Sequence, residues 1–181
     1  MKIWKTITIK KVTAQQLEKA GYKVSDWAKD LLSKTKFKKE TLNLVNISVA
    51  ELGFPDGATR QQIYDKAKEL GLEFCPASVG PVLRMEYQDQ PNGERLLIGM
   101  EPVTVSVGNL RVFGVERDDG DRWLNRHYDD PEDVWDGRNR WVFSLSKLAS
   151  GSLDTLPLDS CRDMEHLEAM EITRKIKEII K

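Results

Sequence analysis

Residues 3–9 (Ile-Trp-Lys-Thr-Ile-Thr-Ile) alternate and are rich in β-branched side chains, which predicts a strand. Thr13 and Ser25 stand at N-cap positions of two short helices, through Ala20 and Leu32, separated at Gly21. In the second helix Trp27, Leu31 and Leu32 are expected to face inward. A polar, Lys-rich connection over 34–41 leads to a buried strand from Leu42 to Val49. After the Gly53–Gly57 loop, Thr59 caps a helix carrying Ile63, Ala67 and Leu70 at helical spacing, and Gly71 stops it. Cys75-Pro76 and Gly80-Pro81 predict an extended connection. Val82–Tyr87 and Leu96–Met100 then read as strands of a hairpin about Pro91-Asn92-Gly93. Leu110–Val115 predicts a further strand and Asp119-Gly120 a turn. Arg140–Leu145 predicts a last strand with Trp141 and Phe143 on one face. The charged stretch before it reads as too irregular and proline-broken for a long strand. Helices followed by antiparallel strands give an α+β domain over residues 1–147. Beyond it, Ala149–Ser160 reads as a linker and Arg162–Ile180 as a helix with an imperfect apolar stripe, a 148–181 extension suited to packing back or to a homo-oligomer through Met164–Ile180.

Composition changes this picture in one place. Of the 25 residues from Glu116 to Arg140, 14 are charged, and none is Lys. Indeed no Lys occurs from Glu69 to Ser146, whereas residues 1–68 hold 13 Lys and one Arg. Arg forks, Trp, Tyr, Asn and Asp are the usual material of a recognition surface, from which Lys is depleted. The net charge of −1 argues against a general nucleic-acid binder, and the basic cluster Lys34, Lys36, Lys38, Lys39 reads as a solvated loop. No apolar run approaches the ~20 residues of a membrane span. The N-terminus lacks the apolar core and cleavage site of a signal peptide, so a cytoplasmic location is expected, with export by another route left open.

Candidate chemistry is thin. Cys75 with His127 or His166 could form a thiol–base pair, but Phe74 and Pro76 beside it favour a buried thiol. Asp129, Asp130, Glu132, Asp133 and Asp136 could ligate Ca²⁺, yet the EF-hand spacing fails and five Arg lie among them, so internal ion pairing is expected. Carboxylate pairs for glycosidic chemistry are too numerous to single one out. Asn46-Ile47-Ser48 matches a glycosylation sequon inside a predicted buried strand. No phosphate-binding Gly-rich loop, His-pair metal motif or nucleophile elbow is present, and no enzyme, cofactor or metal is expected.

The string from Val112-Phe113 through Gly120, Trp123-Leu124, Pro131 and Trp135 to Trp141-Val142-Phe143 resembles the variable region of diversity-generating retroelement target proteins, chiefly a group from uncultured archaea and bacteria. The stretch Leu52–Pro102, with Ala67–Gly71, Cys75-Pro76, Val79-Gly80-Pro81 and Met100-Glu101-Pro102, is similar to their constant part, and the likeness covers roughly residues 4–146. The resemblance implies a C-type lectin fold whose last part, about 111–145, is rewritten at adenines by an error-prone reverse transcriptase. Asn codons so rewritten reach Asn, Asp, His, Tyr, Arg, Ser, Val and others, but never Lys, Glu, Gln, Met or Trp. Asp118, Asn125, Arg126, His127, Tyr128, Asp130, Asp133, Val134, Asp136, Arg138 and Asn139 are then exchangeable ligand-binding positions. Trp123, Pro131, Glu132, Trp135 and Trp141 are framework. Calcium-dependent lectins pair a Glu-Pro-Asn or Gln-Pro-Asp loop with Trp-Asn-Asp. Here Gln90-Pro91-Asn92 falls at a turn and Trp123-Leu124-Asn125 lacks the second acid, so calcium-dependent sugar binding is not expected. The implied function is binding of an unknown protein or surface ligand, against two rivals: a small cysteine- or carboxylate-dependent hydrolase, and an assembly protein acting through the C-terminal helix.

Overall fold

A computed structural model describes residues 2–104, 110–128 and 132–145; the expected linker and helix over 148–181 lie outside the described residues. Within them the chain runs β1 (Lys5–Thr8), α1 (Ala14–Lys19), β2 (Lys23–Val24), α2 (Asp26–Ser33), β3 (Thr41–Ser48), β4 (Ala58–Thr59), α3 (Arg60–Glu69), β5 (Leu72–Glu73) and α4 (Val79–Glu86). It continues through β6 (Arg95–Ile98), β7 (Val103–Thr104), β8 (Leu110–Asp118), β9 (Asp121–Tyr128), β10 (Val134–Trp135) and β11 (Arg140–Leu145). One large sheet carries the order β1-β3-β11-β6-β8-β9-β2, with β5 alongside β11 and β7 alongside β8; β10 and β4 make a separate small sheet. The class is α+β.

The three anticipated helix starts are built by local chemistry. Thr13 and Thr59 each form a capping box with Gln16 and Gln62, and Ser25 Oγ accepts from the Ala28 amide, so exposed N–H groups at each start are satisfied. At its centre, around β11 and β6, the sheet is buried on both sides. Leu96, Ile98, Val115, Leu124 and Val142 face one core with Leu17 of α1, Leu31 of α2 and Val82 and Leu83 of α4. Val45, Ile47, Leu97, Trp141 and Phe143 face the other, under Ile63, Tyr64 and Ala67 of α3. Because strand side chains alternate, β11 sends Trp141 and Phe143 one way and Val142 the other, as expected for a strand covered on both faces.

Several expectations are corrected. The segment from Val79 to Glu86 is helix α4, not an extended connection followed by a strand. Pro81 sits in its first turn, where its missing N–H costs nothing, and a short apolar run buried all round carries no helical stripe to read. Asn92-Gly93 still turns, with Gly93 at φ +80°, but it joins α4 to β6 and not strand to strand. The sheet is mixed, because β11 runs parallel to β6 and β2 parallel to β9. Trp27, expected to face inward, is 42% exposed, and Leu70, placed at helical spacing with Ile63 and Ala67, is the C-cap residue of α3 and 41% exposed. Finally, the first half of the charged segment is a regular eight-residue strand, β9, paired along its whole length with β8.

Candidate functional site: the β8–β9 face and the turn before β11

Asp119 (φ +47°) and Gly120 (φ +83°) make a two-residue turn with both central residues left-handed, the geometry that matches strand twist and that Asp-Gly favours. The turn fixes the register Glu116↔Trp123 and Gly114↔Asn125. Cross-strand partners share a face, so Glu116, Trp123, Asn125 and His127 lie together, while Leu124 points into the core. Its polar side chains on both faces hid the period of two in β9; Leu124 is its one fully buried hydrophobic side chain among those described.

At the centre of this face is the Glu116 carboxylate, 11% exposed. Oε1 lies 2.5 Å from His127 Nε2 and 3.3 Å from Arg95 Nε, and Oε2 accepts from Asn125 Nδ2 at 3.5 Å. The imidazole packs over Gly114, where an added Cβ would come within 2.5 Å of Nε2, and contacts Trp135 edge-on with centroids 6.3 Å apart. Burial raises the Glu116 pKa, but the His127 hydrogen bond and charge, then Arg95 and Asn125, more than reverse this and hold it below its usual 4.5. A carboxyl with a lowered folded-state pKa contributes stability that is present above the unfolded value and lost as pH falls through the folded one. Stability should therefore decline as pH drops below about 4.5, and Glu116→Gln should flatten that decline in acid-unfolding curves. Superimposable wild-type and variant curves would contradict it.

The second wall comes from the turn before β11. Arg60 N donates to Asp133 O, and Val134-Trp135 pair with Thr59-Ala58. Ala50 N donates to Gly137 O at 2.8 Å and Val49 N to Asn139 O at 2.9 Å. Asn139 N closes the turn on Asp136 O, while Asp136 Oδ1 accepts from both the Arg138 amide and Arg138 Nε. That pairing lowers the Asp136 pKa and raises that of Arg138, both at the surface. Between this turn, the end of β8 and Gly93–Arg95 lies an open cleft of about 460 Å³, lined among others by Arg95, Glu116, Asp118, Asp136, Arg138 and Asn139.

The anticipated site residues thus fall into groups. Asp118, Asp136, Arg138 and Asn139 line the cleft. Asn125 and His127 stand on the adjoining β9 face, and Asp133 and Val134 are exposed, Val134 to 71%. Arg126 is on the opposite face of β9, its guanidinium carbon 5.4 Å from the Trp27 ring, and so does not join the others. Tyr128 ends β9; its side chain, and Asp130 and Pro131 entirely, lie outside the described residues. Of the expected framework, Trp141 is fully buried and Trp135 packs against it at 5.3 Å, but Trp123 is only half-buried, with Lys23 Nζ 5.5 Å from its ring. Arg95 and Glu116 were not anticipated. Arg95 lies outside the charged segment and reaches the site only through the β6–β8 register.

Among the described residues the thiol and calcium readings gain no geometry. Cys75 is 2% exposed, and burial pushes its thiol far above the usual range despite a hydrogen bond with Ser144. Gln90 is fully buried, its amide spent on Arg84, Glu94 O and Val115 O, which leaves no oxygen free for a cation. Asn46 of the sequon accepts from Arg140 Nε at 2.8 Å. Among the described residues no group of His, Cys, Asp and Glu could hold a metal ion, and no helix is long and apolar enough to cross a membrane. Comparison with protein-family models, with curated proteins and with solved structures finds no match to this chain.

Proposed function

We propose that this protein is a binding protein with a C-type lectin type of domain, whose β9 face and pre-β11 turn are a retroelement-diversified surface for a protein partner. One observation carries the reading: most of the exchangeable side chains are exposed or half-exposed, on a main chain held by main-chain hydrogen bonds to residues outside the exchangeable set. The β8–β9 ladder, the Arg60–Asp133 bond and the Val49 and Ala50 bonds to Asn139 and Gly137 use no variable side chain. The residues behind them, Trp135 and Trp141, are ones that adenine rewriting of Asn codons does not reach. Such a surface can change its side chains without renegotiating its fold, since exposed substitutions usually shift stability by less than ~0.5 kcal/mol. The half-buried Trp123 adds a rigid aromatic to the same face, useful for contact area at low entropic cost.

Replacing Asp133, Val134 and Arg138 together by Ala should leave thermal melting within about 3 °C of wild type. A large drop would show that these side chains hold the fold. The reading itself is tested in the genome of origin. A near-copy of the DNA for residues 111–145, differing mainly at adenines and lying beside a reverse transcriptase gene, is expected; its absence would sink the proposal.

A further inference from the structure

The cleft holds charges of both signs, four carboxylates (Glu94, Glu116, Asp118, Asp136) and three guanidiniums (Arg95, Arg117, Arg138). The guanidiniums are not equivalent. Arg117 Nη1 donates to Gln90 O at 2.7 Å, and Arg138 is folded onto Asp136 through Nε and Nη2. Arg95 is engaged among the described residues only through Nε, 3.3 Å from Glu116 Oε1, and its side chain is 56% exposed. Among the described residues neither of its terminal nitrogens has a hydrogen-bond partner. Glu116 is itself fixed by His127 and Asn125, so a nearly buried carboxylate orients the guanidinium from behind and leaves the outer edge of the fork open. A planar fork held in this way matches a carboxylate, which it can engage with two parallel hydrogen bonds.

Resting on the binding reading above, we propose that Arg95 is the fixed anchor of the site and takes a carboxylate of a bound polypeptide. The exchangeable residues around it then select which carboxylate-bearing surface is accepted. Asp118 and Glu94 beside the cleft disfavour a bare anion and favour a carboxylate that arrives with a neighbouring cationic group. That condition suits a protein surface, with its side chains of both signs, and not an inorganic ion. Arg95 and its partner Glu116 both lie outside the exchangeable set, so the ion pair itself is retained when those residues change, while exchange at Asn125 or His127, which brace Glu116, alters how firmly the guanidinium is held.

The test is titration of ¹⁵N-labelled protein with two short peptides, followed by NMR. Acetyl-Gly-Glu-Lys-amide offers a side-chain carboxylate; acetyl-Gly-Lys-Gly with a free C-terminus offers an α-carboxylate. Sodium phosphate serves as the bare-anion comparison. At least one peptide should shift the Arg95 Nε–H signal and the amides of Gly93 and Glu116 saturably, and whichever does so identifies the carboxylate source. Arg95→Gln should abolish saturation and Arg95→Lys should weaken binding about tenfold, by loss of one charge-assisted hydrogen bond. Lys66→Gln on α3 should change nothing. Shifts that never saturate, shifts that survive Arg95→Gln, or phosphate binding as tight as the peptides would overturn the proposal. These readouts do not depend on diversification. A missing genomic near-copy with saturable peptide binding removes only the broader reading, and the reverse outcome removes only the anchor.

Discussion

Arg84→Met is expected to cost about 3–5 kcal/mol and to lower the melting temperature by roughly 10 °C, the largest effect of any single side chain outside the aromatic core. Arg84 is fully buried on α4, with its guanidinium carbon 5.2 Å from the Tyr22 ring. Nη1 donates to Gln90 Oε1 at 2.5 Å and to Glu116 O at 3.1 Å, and Nη2 donates to Tyr87 O. Burial depresses its pKa to about 10, which still leaves it charged at neutral pH. Among the described residues no carboxylate pairs with it; the charge is carried by carbonyl dipoles, the Gln90 amide oxygen and the tyrosine ring. Removing the guanidinium takes a donor away from two carbonyls and an amide oxygen in the interior, at about 1–3 kcal/mol for each acceptor left without a partner. The same three acceptors belong to the loop after α4 and to β8 beside Glu116, so the mutation should also loosen the wall of the cleft that carries Arg95. Thermal melting by circular dichroism gives the first number, and hydrogen exchange at residues 87–95 gives the second. A variant melting within 2 °C of wild type would show that Arg84 is dispensable, and Arg84→Lys, which keeps the charge but not the fork, should fall between the two.

What could be read from the chain, and what could not, follows from how local each cause is. The caps at Thr13, Ser25 and Thr59 act within three residues, and they were legible. So was the division of β11 between Trp141 and Phe143 on one side and Val142 on the other. Helix α4 was not, because tertiary burial on every side erased the stripe that distinguishes a helix from a strand. Strand β9 was hidden for the opposite reason: its outer face and part of its inner face are polar, so alternation shows only in Leu124. For the candidate site, the resemblance pointed to positions on β9 and the turn, and among those described Arg126 stands on the opposite face of β9 from Asn125 and His127. Arg95 and Glu116 escaped notice because their partnership depends on strand register. Twenty-one positions separate them in sequence, and the β6–β8 register sets them directly opposite each other in space.

Gly137→Ala is expected to be the most damaging change within the stretch proposed to be exchangeable, by about 2–4 kcal/mol, although both its neighbours are exposed. Asp136 and Arg138 on either side point outward, yet a Cβ at Gly137 would lie 2.3 Å from Pro55 O and 3.0 Å from its carbonyl carbon. Those atoms are backbone of the loop that leads into β4 and α3, so they cannot rotate away. The turn would have to lift, and with it would go the Ala50–Gly137 and Val49–Asn139 hydrogen bonds that hold it against the sheet. Gly57, at φ +99° and with a would-be Cβ 2.8 Å from Trp135 O, meets the same segment from the other side. The turn is thus held against the loop before β4 by close main-chain contact, with the Asp136 carboxylate bracing it only locally on Arg138. Chemical denaturation should show the loss for Gly137→Ala but only small changes for Arg138→Ala, and hydrogen exchange at the Val49 and Ala50 amides should accelerate in the first alone. Equal stability of the two variants would mean that the turn is held by side chains, and the case for a freely exchangeable surface would fall with it.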